Sequence, residues 1–129
     1  MKKSTPPILK KYAPPTLREK QTEFAYCLGI LLHWCLNHDI QVTLKEVYRP
    51  PETAALYAAQ GRGSARSLHT LSLAVDIALF DEEGKYERDS AAYQRLGEEW
   101  ESLSPLCRWG GRFKKPDGGH FSLSHQGRA

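Results

Sequence analysis

The sequence predicts a single α+β domain in which helices pack on a small sheet. A chain of 129 residues suits one compact domain and leaves little room for a second. Apolar residues recur at helical spacing over two stretches, Leu17 to Cys35 and Tyr93 to Leu103. Over three others, Ile40 to Lys45, Leu73 to Phe80 and His120 to Ser124, apolar and polar or small residues alternate as in strands. With 40% hydrophobic and 26% charged residues the composition stands well away from that of disordered chains, so a folded core is expected.

Residues 1–15 hold four of the eight prolines together with Lys2, Lys3, Lys10 and Lys11, and are expected to run extended over the surface. The formal charge of +3 is concentrated there: residues 1–20 carry six Lys/Arg against Glu19 alone, so the remainder sums to −2. Such an arm suits contact with an anionic polymer, but a solvated tail is the plainer reading. No basic face for nucleic acid is indicated.

The fold proper is expected to start at Thr16, where Thr16-Leu17-Arg18-Glu19 has the form of a capping box. Leu17, Phe24, Leu28, Leu31 and Cys35 then mark one long helix as far as Asn37. The alternation of Ile40, Val42 and Leu44 predicts a half-buried strand leading to Val47-Tyr48-Arg49. Pro51 opens a short second helix that Gly61 closes. After the basic loop Gly61 to Arg66, a strand over Leu73 to Phe80 has two unlike faces. Leu73, Val75, Ile77 and Leu79 form one; Ala74, Asp76 and Ala78 form the other, leaving a single carboxylate among small neighbours.

Asp81-Glu82-Glu83-Gly84 predicts a hairpin turn into a strand around Tyr86. Ser90 is expected to cap a helix carrying Tyr93, Leu96, Trp100 and Leu103 on one stripe. Residues 104–119 read as a loop, and the last strand sets His120, Ser122 and Ser124 against Phe121 and Leu123. Trp34 and Trp100 are expected in the core, and Trp109 beside Gly110-Gly111 suits either core or cleft.

Several function classes drop out. Cys27 and Cys35 are eight apart in a helix, about 12 Å, and cannot pair, and there is no CxxC, so thiol or Cys-metal chemistry is not expected. The apolar run Phe24 to Leu36 is too short to span a bilayer, and no small-x-small cleavage site follows it. The expectation is a chain made in the cytoplasm without an export signal and without stable membrane insertion.

The residues worth combining are His69, Asp76 and His120, with Asp117 three positions before the last. Two imidazoles and a carboxylate suit zinc, and a three-ligand site keeps a fourth position open for catalysis. If the two strands are neighbours, Asp76 and His120 share a polar face and His69 approaches from the loop. Spacing alone leaves the bland alternatives open: a loop histidine, an exposed strand aspartate and an Asp-Gly turn. His33, His38 and His125 read as packed, capping or terminal residues.

The run Ser67-Leu68-His69-Thr70-Leu71-Ser72-Leu73-Ala74-Val75-Asp76 resembles the Ser-x-His-x-x-Gly-x-Ala-x-Asp motif of zinc D-alanyl-D-alanine carboxypeptidases and L-alanyl-D-glutamate endopeptidases. Asp117-x-x-His120-Phe121 is similar to their second motif. Val47-Tyr48-Arg49 resembles their Tyr-Arg segment, and Trp109-Gly110-Gly111 their Trp-Gly-Gly. The four motifs stand in the family's order and cover roughly residues 16–124. Two positions depart from the pattern: Ser72 replaces a glycine, and Ser122 an acidic residue often found after His-Phe.

The resemblance implies a mostly antiparallel sheet with a zinc cleft on its polar face. It implies zinc ligation by His69, Asp76 and His120, a general base in Asp117, an oxyanion-holding Arg49 and a substrate contact at Ser67. The implied function is a monomeric zinc peptidase cutting peptidoglycan stem peptides between L-alanine and D-glutamate, as in small bacteriophage endolysins. Such a protein reaches the wall through a membrane pore or from the virion. A D-alanyl-D-alanine carboxypeptidase and a non-catalytic wall-binding module are the alternatives. An iron oxygenase with two histidines and a carboxylate is disfavoured because its usual His-x-Asp spacing is missing.

Overall fold

A computed structural model of the chain describes residues 15–129. The expected Pro-rich arm therefore lies, but for Pro15, outside the described residues. The order of elements is α1 (Leu17–Asn37), β1 (Gln41–Glu46), α2 (Pro51–Ala59), β2 (Ala74–Phe80), α3 (Gln94–Glu101), β3 (Cys107–Trp109) and β4 (His120–Leu123). Short 3-10 turns stand at Leu68–Leu71, Ser90–Tyr93 and Gly110–Arg112. The strands form one antiparallel sheet in the order β1-β2-β4-β3. This is the α+β architecture the sequence predicts.

Helix α1 begins with the expected reciprocal cap. The Glu19 amide donates to Thr16 Oγ1 at 3.2 Å and the Thr16 amide donates to Glu19 Oε1 at 2.7 Å. Satisfying two free amides in this way contributes about 1 kcal/mol. The helix buries Phe24, Cys27, Leu31 and Cys35 on one stripe, while Leu17 stays partly exposed. That stripe meets α3 and the apolar face of the sheet, Val75, Ile77, Phe121 and Leu123. Trp100 of α3 lies at the centre, edge-on to Phe24 and Phe121 with ring centroids 5.7 and 6.1 Å away. Its indole N–H donates to the carbonyls of Ser122 and Arg108. Trp34 is only half-buried, with the Arg95 guanidinium over its ring. All three cysteines are buried free thiols.

Four local expectations change. The predicted loop 104–119 contains β3, which pairs with β4 through Cys107↔Leu123 and Trp109↔Phe121. Three residues are too few for an alternation to stand out in sequence. The strand expected around Tyr86 reduces to one bridge with Phe80, although the preceding turn forms, with Gly84 at φ 82°. Asp89 rather than Ser90 caps the third helical segment, which starts as a 3-10 turn. The buried face expected on the edge strand β1 is largely open, with Leu44 47% exposed and only Val42 and Glu46 partly covered. Among the described residues, no helix is long and apolar enough to cross a membrane.

Candidate metal centre

The polar faces of the central strands coincide because of their register. Asp76 of β2 is paired with His120 of β4 on one side and with Glu46 of β1 on the other. The second pairing exists because a bulge between Leu44 and Glu46 shifts the register, so Glu46 rather than Lys45 stands opposite Asp76. Asp76 is half-buried, and His69 and His120 are buried around it.

His69 sits in the 3-10 turn before β2. Ser67 Oγ accepts the His69 amide at 3.2 Å and caps that turn, which leaves the Ser67 hydroxyl proton available to donate elsewhere. Residues 47–49 clamp the histidine twice: the Arg49 amide donates to the His69 carbonyl at 3.0 Å, and His69 Nδ1 lies 3.0 Å from the Val47 carbonyl. A carbonyl only accepts, so Nδ1 carries a proton and Nε2 is directed at Asp76. The turn ends on Ser72 at φ 56°, ψ 39°, the left-handed region. The family's glycine at this position thus has a conformational reason, and serine occupies it at a cost of about 1–2 kcal/mol.

The turn that carries Asp117 and His120 is held from several sides. The Asp117 amide donates to the Gly110 carbonyl at 2.9 Å, Gly118 N–H to Ser90 Oγ at 2.8 Å, and the Trp109 indole to the Gly118 carbonyl at 2.8 Å. A Cβ on Gly110 would lie 2.2 Å from the Asp117 carbonyl oxygen, so only glycine lets the two segments approach. Trp109 is buried packing, not a cleft wall, and the Trp-Gly-Gly segment acts by bracing this turn.

His69 Nε2 lies 3.3 Å and His120 Nδ1 3.6 Å from the same Asp76 oxygen, Oδ1. The three ligand atoms all fall within 4.8 Å of one another. Ligands at zinc distances on a tetrahedron stand about 3.3–3.5 Å apart, so the set needs little adjustment to hold the ion. The chemistry of the donors agrees: without a proton or a cation between them, the Nε2 lone pair and a carboxylate oxygen would face each other. Burial lowers the His69 proton affinity, but the hydrogen bond and charge of Asp76 outweigh it and hold the imidazole above its usual range. Burial also opposes ionisation of Asp76, yet both imidazoles hold that carboxyl well below the usual carboxylate range. Among the described residues, His120 Nε2 and the Ser122 hydroxyl are both buried without a partner.

Arg49, Ser67, His69, Asp76, Asp117 and His120 all line one cleft of about 450 Å³. Asp117 is exposed at its rim, and Phe113 packs on His120 with ring centroids 5.4 Å apart. Arg49 is not free: its Nε and Nη2 donate to Glu46 Oε1, the Nε bond being 2.9 Å, and its guanidinium lies over the Tyr57 ring. Glu46 is a residue the sequence reading missed, though a charge three positions from Arg49 was the available signal. His33 is exposed, His38 caps α1 with Nδ1 2.8 Å from the Trp34 carbonyl, and His125 meets Lys20, so none joins the cluster.

A four-stranded antiparallel sheet with a His-Asp-His cluster, a carboxylate and a guanidinium on one cleft is the frame of a hydrolase centre. Residues 60–123 match the D-alanyl-D-alanine carboxypeptidase family, a stretch that holds all of these groups except Arg49. The fold is similar to that in the crystal structure of the Serratia marcescens L-Ala D-Glu endopeptidase ChiX, with a TM-score of 0.66 at 21% identity, over 84% of this chain and 83% of that one. No curated protein sequence matches the chain. The sequence match and the shared fold together support a peptidase of this kind.

Proposed function

We propose that the protein is a zinc-dependent peptidase that hydrolyses the L-alanyl-D-glutamate bond of peptidoglycan stem peptides. The observation that carries this is the convergence of His69, Asp76 and His120 on one point of a cleft that also holds Asp117 and Arg49. A zinc ion held by those three side chains supplies Lewis acidity, polarising a peptide carbonyl and acidifying water. Asp117, exposed at the cleft rim, takes a proton from the attacking water and returns it to the leaving amine. Arg49, fixed by Glu46, offers its remaining N–H groups to the carbonyl oxygen as negative charge develops there. The Ser67 hydroxyl, which keeps its proton to donate, contacts the substrate.

The choice of the L-alanyl-D-glutamate bond draws on the shared fold of the Serratia endopeptidase, whereas the description of the matched family favours a terminal D-alanine. We extend the proposal to lysis of a host wall by a monomeric phage endolysin, on the likeness of the four motifs to those of small endolysin peptidases.

Mass spectrometry of fragments from purified peptidoglycan tests the reading, using the wild-type protein, the same protein with chelator, and Asp117→Ala. New amino-terminal D-glutamate ends that vanish in both controls are expected. Loss of a terminal D-alanine alone would make it a carboxypeptidase. No release despite bound zinc would leave a wall-binding module.

A further inference from the structure

A second cavity, about 240 Å³, lies against the catalytic cleft and shares Asp76 and Asp117 with it. Its other walls include Lys45, Tyr86, Arg88 and Ser90. The Tyr86 ring carries both cations, with Lys45 Nζ 5.7 Å and Arg88 Cζ 5.2 Å from its centroid. Among the described residues neither cation makes an ion pair with a carboxylate. Two cations held on one ring beside the reacting groups form a receptor for an anion, because the ring fixes them at little cost in side-chain freedom.

The placement of the two cavities gives a bound peptide an axis. Asp117 stands between them, so a peptide whose scissile bond lies at Asp117 extends one way past Arg49 and Ser67 and the other way towards Lys45 and Arg88. Resting on the function proposed above, we infer that Lys45, Tyr86 and Arg88 form a carboxylate subsite for the residue that follows the scissile bond. A D-glutamyl residue, whichever of its carboxyl groups is in the chain, keeps one carboxylate free, which is the anion this subsite takes. Lys45 and Arg88 are thus specificity-determining residues that select an acidic residue after the cut. They take no part in the bond-breaking step.

The test uses two peptides, acetyl-L-alanyl-D-glutamyl-L-lysine amide, whose only carboxylate is the glutamyl one, and its counterpart with that group as a carboxamide. Binding to the zinc-loaded protein is measured by calorimetry and cleavage by chromatography. Wild type is expected to favour the free acid about tenfold, the effect of two partly exposed charge pairs, and to lose the preference as salt rises. Lys45→Gln with Arg88→Gln should bring the ratio to about one, lowering only the free acid. The charge-keeping pair Lys45→Arg and Arg88→Lys should restore it. Equal affinity of wild type for both peptides, no binding of either, or an equal loss of both in the glutamine variant, would overturn the subsite. Preferential binding without cleavage would support the subsite while removing the endopeptidase reading, so the two fail separately.

Discussion

Gly97→Ala tests how the turn bearing Asp117 and His120 is braced, because two ordinary rules give it opposite signs. In a helix interior, alanine is more favourable than glycine by about 1 kcal/mol. At Gly97 in α3, however, the new Cβ would lie 2.1 Å from Trp109 Cδ2 and 2.5 Å from two further ring atoms, against normal carbon contacts of about 3.5–4 Å. Gly111 approaches the same ring as closely, with its Cβ position 2.2 Å from Cζ2. The indole therefore has to shift, and with it goes the 2.8 Å bond to the Gly118 carbonyl. Overpacking costs about 1–3 kcal/mol and the lost hydrogen bond about 1 kcal/mol, so after the helix-propensity gain the net loss is about 2 kcal/mol. For a domain of this size that lowers Tm by roughly 8 °C.

Gly29→Ala is the matched control, since Gly29 is exposed in α1 with nothing within 4 Å of its Cβ position. It should gain about 0.5–1 kcal/mol and raise Tm by roughly 2–4 °C. Thermal unfolding followed by circular dichroism reads both variants, and a peptidoglycan-release assay reads the turn. A rise in Tm for Gly97→Ala to match Gly29→Ala would refute the packing argument.

Five further outcomes are expected. Asp117→Asn should cut peptide hydrolysis by about 10²–10⁴-fold with Tm and zinc content unchanged, and undiminished turnover would remove it as the base. Glu46→Gln should reduce kcat roughly tenfold with KM little changed, because it loosens Arg49 without touching substrate; steady-state kinetics decide this. Ser72→Gly should stabilise the fold by up to about 1 kcal/mol in denaturant titrations, relief of the left-handed serine being partly offset by glycine's freer unfolded chain. With chelator present, stability should peak between about pH 4 and 6.5. The raised His69 contributes below its unfolded value of 6.5 and loses this as pH rises through its folded value, whereas the lowered Asp76 contributes above 3.8 and loses this as pH falls. Protons compete with zinc for the imidazoles, so activity should decline below about pH 6, and full activity and zinc content at pH 5 would contradict this.

Much of this architecture is legible in the sequence where a residue acts through its neighbours along the chain. The cap at Thr16, the left-handed Gly61 and the two faces of β2 are local consequences of residue type and spacing. The His-Asp-His cluster is legible too, but only in combination. Asp76 and His120 are remote in sequence, and their strand pairing, which no period reveals, makes them neighbours. What stays hidden depends on contacts between distant segments. The three-residue β3 exists because β4 is there to receive it, and Ser90 is released from capping because Gly118 uses its hydroxyl. The partnership of Arg49 with Glu46 depends on a bulge in β1 that no residue type in that strand demands.

That bulge has a second effect, on the outside of the sheet. Strand β1 is an edge, and its outer row of amides and carbonyls would be an open template for another chain if the strand were straight. By breaking the regular repeat after Leu44, the irregularity interrupts this row where Leu44 and Tyr48 are about half exposed. Removing Lys45 to regularise the strand would leave Glu46 opposite Asp76 but straighten this edge. The geometry that prepares the cleft for its substrate therefore also discourages the protein from adding strands to itself.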